Sequence, residues 1–280
     1  MPNPATINSL RAEFLGDVRD ADQLMAFALT KDAGWLIAHG QDQITAEQVT
    51  MIRGLFSRRA KHEPLAYIVG SQPFYGRAFI VTSDVLIPRP ESELIIDQIK
   101  KDFGSHSAPV IMDVGTGSGC LAITARLELP QARVIAIDVS TSALAIAKQN
   151  AQTLGAKAVE FMQGDLLEPI SGQENSIDAI IANLPYLPQE EIDASPTAGE
   201  LAYEPQLALV APDDGLALIK TCTQQATELL VCGGKLYLEM LPQQIPSFSV
   251  WLMMTGLPYQ TELLQDLTGQ NRIVVLTKTC

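Results

Sequence analysis

Asn183-Leu184-Pro185-Tyr186 closes an apolar run, Ile177-Asp178-Ala179-Ile180-Ile181-Ala182, that reads as a buried strand. An amide, a proline and an aromatic at a strand end make a small pocket suited to a planar amino or amide group. An amide nitrogen is a poor nucleophile, because its lone pair is delocalised into the carbonyl. Two acceptors gripping its N–H groups bias it toward a pyramidal, more reactive form and aim its lone pair at an electrophile. The Asn183 side-chain oxygen and the Leu184 backbone carbonyl can be those acceptors. Tyr186 can cover the planar group by stacking, and Pro185 holds Leu184 in the extended region. Asn and Pro are also ordinary turn residues, so a plain turn after a strand is the alternative.

A second constellation lies upstream. Asp113-Val114-Gly115-Thr116-Gly117-Ser118-Gly119 follows the strand Val110-Ile111-Met112 and opens a helix from Cys120 to Leu129. Glycines there let the backbone bend and approach a ligand closely, and the helix start offers N–H groups. The dinucleotide spacing G-x-G-x-x-G, counted from Gly115, would need a glycine where Cys120 stands. Counted from Gly117 it ends at Ala122, so a nicotinamide cofactor is disfavoured but open. Asp138 closes the next strand, 23 residues after Gly115, where a carboxylate accepts from both ribose hydroxyls. It could equally serve the start of the helix that Ser140 caps. Gly164-Asp165-Leu166 ends a third strand. Asp165 can accept from an adenine amino group and Leu166 can pack on the ring, unless the segment is a simple turn. A nucleoside cofactor beside a planar nitrogen acceptor points to methyl transfer from S-adenosylmethionine, whose activated methyl leaves the protein to position the acceptor.

These residues need a scaffold of strand ends. From residue 109 onward strands and helices alternate: Val134–Ile137, a helix from Ser140 to Leu154 stopped by Gly155, Val159–Met162, Ile177–Ala182, a helix from Gly215 to Leu230, and Gly234–Met240. Alternation of this kind predicts a doubly wound α/β sheet. Tyr259–Leu264 and Arg272–Thr277 flank Gly269-Gln270-Asn271 and predict an antiparallel hairpin. A mostly parallel sheet finished by such a hairpin fits the class I methyltransferase architecture. Residues 1–70 read as helical, with one helix running from Asp20-Ala21-Asp22 to Gly40 and another from Thr45. Arg53, Arg58, Arg59 and Lys61 near the end of the second complement its dipole or form a partner patch. Phe74–Val81 predicts a short hairpin around Gly76, and Ile87-Pro88-Arg89-Pro90-Glu91 a stiff link. The resulting division is 1–70 helical, 71–90 hairpin and linker, and 91–280 catalytic.

The 280 residues carry a net charge of −13, distributed as −1 over residues 1–70 and −12 over residues 71–280. That acidity argues against direct binding to bare nucleic acid, which calls for a basic face, and favours a protein partner or simple solubility. No apolar run approaches the ~18 residues of a membrane span, and the N-terminus carries no signal-peptide pattern. The expectation is a cytoplasmic protein with its four cysteines, Cys120, Cys222, Cys232 and Cys280, reduced and free of metal. Cys120 reads as a small packing residue rather than a reactive thiol.

The chain resembles the release-factor glutamine methyltransferases, the PrmC or HemK family. The resemblance rests on Arg58-Arg59 to Glu63-Pro64, Tyr67–Gly70, Val85-Leu86-Ile87-Pro88-Arg89-Pro90-Glu91-Ser92-Glu93, the Gly115–Gly119 loop, Tyr203-Glu204-Pro205, Asp214-Gly215-Leu216 and Asp266-Leu267-Thr268-Gly269. It implies methylation of the side-chain amide nitrogen of the Gln in the Gly-Gly-Gln loop of peptide chain release factors. It implies cofactor contacts from the Gly115–Gly119 loop, Asp138, Asp165, Leu166 and Asn183, and substrate contacts from Asn183 to Tyr186. It also implies that the helical first domain docks the release factor. The family motif is Asn-Pro-Pro-Tyr, and Leu184 departs from it. Because the acceptor there is a backbone carbonyl, the chemistry is expected to survive with a slightly less rigid loop. Arg89 and Glu91 match family positions whose roles the sequence does not disclose. A ribosomal-protein glutamine is the nearest alternative substrate, ahead of a nucleic-acid amino group.

Overall fold

The computed structural model describes residues 5–105 and 108–280. The chain divides into two compact units. One is the chain up to Ser71 together with Pro196–Tyr203, and the other is Gln72–Ser195 with Glu204–Cys280.

The first unit is helical: α1 (Ile7–Glu13), α2 (Val18–Leu29), α3 (Ala33–Ala38), α4 (Ala46–Arg59) and α5 (Leu65–Val69). The single helix expected between Asp20 and Gly40 is two. Thr30 takes the left-handed region (φ 53°) and ends α2, and the Asp32 side chain accepts from Trp35 N to start α3. Asp17, not Asp20, caps α2. Thr45 and Gln48 form a capping box on α4, as the sequence pattern predicts. Ile7, Leu10, Leu24, Met25, Leu36, Ile52 and Phe56 make the core. The arginines at the end of α4 are internally paired: Arg59 bridges Asp20 (2.6 Å) and Glu200 (2.9 Å), Arg58 bridges Glu63, and Arg53 bridges Glu13 (2.8 Å). Tyr203 donates to the Lys61 carbonyl at 3.1 Å, which joins the 196–203 segment to this unit.

The second unit begins with the hairpin β1 (Ser71–Phe74) and β2 (Arg77–Ile80), turned through Tyr75 and Gly76, both at positive φ. Then come α6 (Glu93–Phe103), β3 (Val110–Val114), α7 (Cys120–Glu128), β4 (Arg133–Asp138), α8 (Thr141–Leu154), β5 (Glu160–Gln163) and β6 (Ile177–Ala182). Three short helices follow: α9 (Gln189–Ala194), α10 (Ala198–Leu201, part of the helical unit) and α11 (Gln206–Leu209). The chain closes with α12 (Ala217–Leu229), β7 (Leu230–Glu239), α13 (Ile245–Thr255), β8 (Tyr259–Gln265) and β9 (Asn271–Lys278). No amphipathic pattern announces α13, because its apolar residues face both core (Phe248, Leu252) and solvent (Val250, Met253, Met254).

Seven strands form one sheet in the order β5-β4-β3-β6-β7-β9-β8, parallel except for β9 against β7 and β8. Its central strands are mostly apolar because both faces are covered. Met112, Val114, Ile180, Ala182, Leu236 and Leu238 pack on one face, and Ile111, Ala179, Ile181 and Tyr237 on the other. Strand order reverses between β3 and β6, so their carboxyl ends frame the crevice where such sheets bind ligands.

One expectation is overturned. Cys232 and Cys280 are joined as a disulfide, with Cα atoms 5.5 Å apart. The antiparallel β7–β9 pairing, with Lys235 against Thr277, brings the start of β7 near the C-terminal end of β9. Cys120 and Cys222 are free. Among the described residues no helix is long and apolar enough to cross a membrane, and no side-chain group could hold a metal ion.

Candidate active site

The glycine loop leaves β3 and folds back onto β4. The Gly115 and Thr116 N–H groups both donate to the Ile137 carbonyl at 2.9 Å. Two carboxylates brace it. Asp113 Oδ2 accepts from Thr116 Oγ1 (2.6 Å) and Ala122 N (3.1 Å), and Asp138 Oδ2 accepts from Gly117 N (2.8 Å). Gly119 starts α7 at φ +80°, where a Cβ would stand 2.8 Å from Ile123 Cδ1 and 3.1 Å from Ala147 Cβ. Any larger residue would lever the loop away from α8. Asn150, fully buried, ties the Ser118 carbonyl (2.9 Å) to the backbone of Ile80 on β2. This is a positioning contact that the sequence reading missed.

A cavity of about 430 Å³ opens between these strand ends. The loop Gly115–Ser118, Asp138, Asp165, Leu166, Asn183, Leu184 and Pro185 all line it. Ser83–Leu86, Arg89 and Leu207 also line it; of these only Arg89 was placed near the site by the family resemblance. Gly119 sits behind the wall as the cap of α7. The helix-start reading of Asp138 is met, with one oxygen taking Gly117 N and the other Ser140 N (2.9 Å), and the residue also lines the cavity. Burial pushes its carboxyl above the ordinary range, opposed by those backbone donors. Each of its oxygens keeps acceptor capacity for a further partner. Burial likewise pushes Asp113 up to about 6 and the Cys120 thiol up to about 12, so Cys120 is no nucleophile. Asp165 is exposed in a turn, its carbonyl accepting from Glu168 N at 3.1 Å, and Leu166 adopts φ +47°.

Arg89 and Glu91, left without roles by the sequence, part company. Arg89 bonds Glu204 at 2.6 Å, and buried Glu204 also accepts from Ile87 N at 3.1 Å, which pins the Arg89 guanidinium at the cavity wall. Glu91 is exposed.

Around Asn183 the side chains are tightly wired. Asn183 Nδ2 donates to Ser92 Oγ (3.0 Å), Ser92 Oγ donates to Glu239 Oε2 (2.5 Å), and Tyr186 OH donates to Glu239 Oε1 (3.0 Å). Gln244 Nε2 donates to the Tyr186 and Asp214 carbonyls, each at 2.7 Å, and clamps the loop from below. Burial raises the Glu239 carboxyl and the Tyr186 phenol, the latter further because Glu239 is beside it. Tyr186 is not part of the cavity wall; it packs against the core, its hydroxyl spent on Glu239. Leu184 is buried, with Cδ2 3.1 Å from where a Gly115 Cβ would stand. The residue that departs from the family motif thus fills the space between the two site loops. The one sequence signal for Glu239 was an acid ending the apolar run Leu236-Tyr237-Leu238.

Residues 8–70 match the family described as PrmC N-terminal domain, and residues 105–248 match the methyltransferase domain. A release factor glutamine methyltransferase of Bordetella pertussis is 37% identical over 254 residues, covering 91% of this chain and 92% of its own. One from Xylella fastidiosa is 34% identical over 275 residues, covering 98% of each. The chain belongs to the release factor glutamine methyltransferase family. Among solved structures, a methyltransferase from Pyrococcus furiosus superposes with a TM-score of 0.56 at 18% identity, covering 80% of this chain and 99% of its own, a likeness of fold. The cofactor of this family member is S-adenosylmethionine, and the cavity suits it. Its volume lies in the range of small-molecule sites, and a strand-end carboxylate with open lone pairs faces a glycine loop, as a ribose-bearing ligand requires.

Proposed function

We propose that this protein transfers a methyl group from S-adenosylmethionine to the side-chain amide nitrogen of the Gln in the Gly-Gly-Gln loop of peptide chain release factors, tuning translation termination. The names of its relatives, at 34–37% identity over nearly the whole chain, support that substrate over a ribosomal-protein glutamine, a nucleic-acid amino group or a hydride acceptor. The acidic balance of −13 favours a protein substrate over bare nucleic acid. We take the cytoplasm, where release factors work, as its location, and the helical unit at the N-terminus as a docking module for them.

When bound, the cofactor supplies a methyl group already activated on a sulfonium. Asp138 would hold the ribose, the Gly115–Ser118 loop would run along the cofactor, and Asp165 with Leu166 would border the adenine. The Asn183 side-chain oxygen and the Leu184 carbonyl would accept from the two N–H groups of the substrate amide and hold its lone pair toward the methyl. The amide proton is acidic once the nitrogen is alkylated and leaves to water, so no side chain is required as a base. Tyr186 acts from behind, fixing the loop that carries both acceptors rather than covering the substrate.

The observation that carries this reading is the hydrogen bond from Asn183 Nδ2 to Ser92 Oγ at 3.0 Å, in a residue that lines the cavity. With the nitrogen end engaged, the oxygen end of that amide is the one left to accept. The test is incubation with release factor and methyl-labelled S-adenosylmethionine, followed by digestion. Label is expected on the peptide containing Gly-Gly-Gln, and a release factor that stays unlabelled sinks the substrate assignment.

A further inference from the structure

We propose that Glu239 is a positioning residue for methyl transfer, setting through Ser92 which end of the Asn183 amide is available to the substrate and anchoring Tyr186 with its other oxygen. The inference rests on the reading of Asn183 as an acceptor given above.

Glu239 is the last residue of β7 and is 1% exposed, between Leu238 and Met240, both fully buried. A carboxylate in such a place is expensive unless its oxygens are bonded. Both are, and both by hydroxyls: Ser92 Oγ on one and Tyr186 OH on the other. Arg272 and Glu91 are the other charged groups that act on it, with opposing effects.

The directions of these bonds follow from the inventory of donors. Both Glu239 oxygens act as acceptors, Oε2 from Ser92 Oγ and Oε1 from Tyr186 OH. Ser92 has one proton, and it goes to Glu239. Toward Asn183 the Ser92 oxygen can therefore only accept, and the Asn183 group at 3.0 Å must be its NH₂. The amide oxygen then occupies the opposite end. One buried carboxyl group thereby fixes the polarity of a side chain two hydrogen bonds away. If Glu239 could donate, the order could invert, and Asn183 could turn its NH₂ toward the substrate. Two N–H donors would then face each other, and the substrate would lose a bond and meet an unpaired donor. The same carboxylate holds the loop at Tyr186, so the side-chain and backbone acceptors are set from a single point.

Glu239 and Tyr186 lie outside the cavity wall. Their contribution should therefore appear in turnover at saturating cofactor and not in cofactor affinity. The experiment compares Glu239→Gln, Ser92→Ala, Ser92→Thr and Asn183→Ala. Each is measured for binding of S-adenosylhomocysteine by calorimetry and for single-turnover methyl transfer to intact release factor. Misplacing the acceptors is expected to lower the Glu239→Gln and Ser92→Ala rates by ~10²-fold, with S-adenosylhomocysteine affinity unchanged in Glu239→Gln, whose side chain lies outside the wall. Ser92→Thr, which keeps the hydroxyl, is expected to recover the rate. Wild-type turnover in Glu239→Gln, with Asn183→Ala inactive, overturns the role of Glu239 and leaves Asn183 standing. Normal turnover in Asn183→Ala overturns the acceptor reading and this inference with it. Should Glu239→Gln fail to fold, the serine pair decides: Ser92→Thr as slow as Ser92→Ala overturns the proposal.

Discussion

Gly215→Ala tests how the acceptor loop is held without touching the cavity. Gly215 sits at φ +82°, and a Cβ there would stand 1.9 Å from the Tyr186 carbonyl oxygen and 2.4 Å from Gln244 Nε2. Real Cβ contacts stay above 3.0 Å, so the Tyr186 carbonyl must move by about 1.1 Å. Neither neighbour can step aside freely. The first is backbone, and the second belongs to a buried side chain bonded at 2.7 Å to both the Tyr186 and Asp214 carbonyls. Left-handed strain of about 1 kcal/mol and two weakened hydrogen bonds of about 1 kcal/mol each sum to about 3 kcal/mol. Displacing the loop that carries Leu184 and Asn183 by that distance should slow methyl transfer by ~10²-fold. Gly233→Ala is the control: its φ is +79° with nothing within 4 Å, so it bears the strain without the collision. Urea unfolding and single-turnover transfer on both variants read the two effects. Gly215→Ala matching Gly233→Ala in stability and in rate would refute the reasoning.

The Asp113 carboxyl, raised by burial from 3.8 to about 6, binds its proton more tightly in the folded protein than in the unfolded chain. Its stabilising contribution is whole below pH 3.8 and is lost as pH rises through about 6, a change of about 3 kcal/mol. Urea unfolding at successive pH values should show this fall in the wild type and a flatter profile in Asp113→Asn. The Cys232–Cys280 bridge spans 48 residues, which on the chain-entropy account contributes about 4 kcal/mol. Reductant should lower the unfolding midpoint and leave turnover intact, because the bridge joins the end of β7 remote from Glu239; a parallel loss of activity would contradict that separation.

The sheet was legible because its strands are apolar runs broken by glycine and polar turns, and their order follows from alternation with helices. The site loops were legible for a related reason. Gly115–Gly119, Asp138 and Asn183–Pro185 each end a strand, and a doubly wound sheet gathers strand ends at one edge. What escaped depends on long-range geometry. Glu239 meets Ser92 across 147 positions, and Glu204 meets Arg89 across 115, distances over which no local pattern operates. The disulfide joins residues 48 apart that the β7–β9 pairing brings near each other, which spacing alone does not disclose. The break at Thr30 turns on one left-handed residue inside an otherwise helical pattern. Tyr186 read as a substrate platform because an aromatic beside Asn and Pro suggests stacking; the bond of its hydroxyl to Glu239, buried on another strand, had no local signal.

The central claim is that the Asn183 side-chain oxygen grips the amide to be methylated. The most direct measurement is single-turnover methyl transfer to release factor by Asn183→Ala, with S-adenosylhomocysteine binding measured on the same preparation. The account predicts that transfer to the Gly-Gly-Gln glutamine is abolished while cofactor binding persists in part. Near-normal transfer by that variant would contradict it.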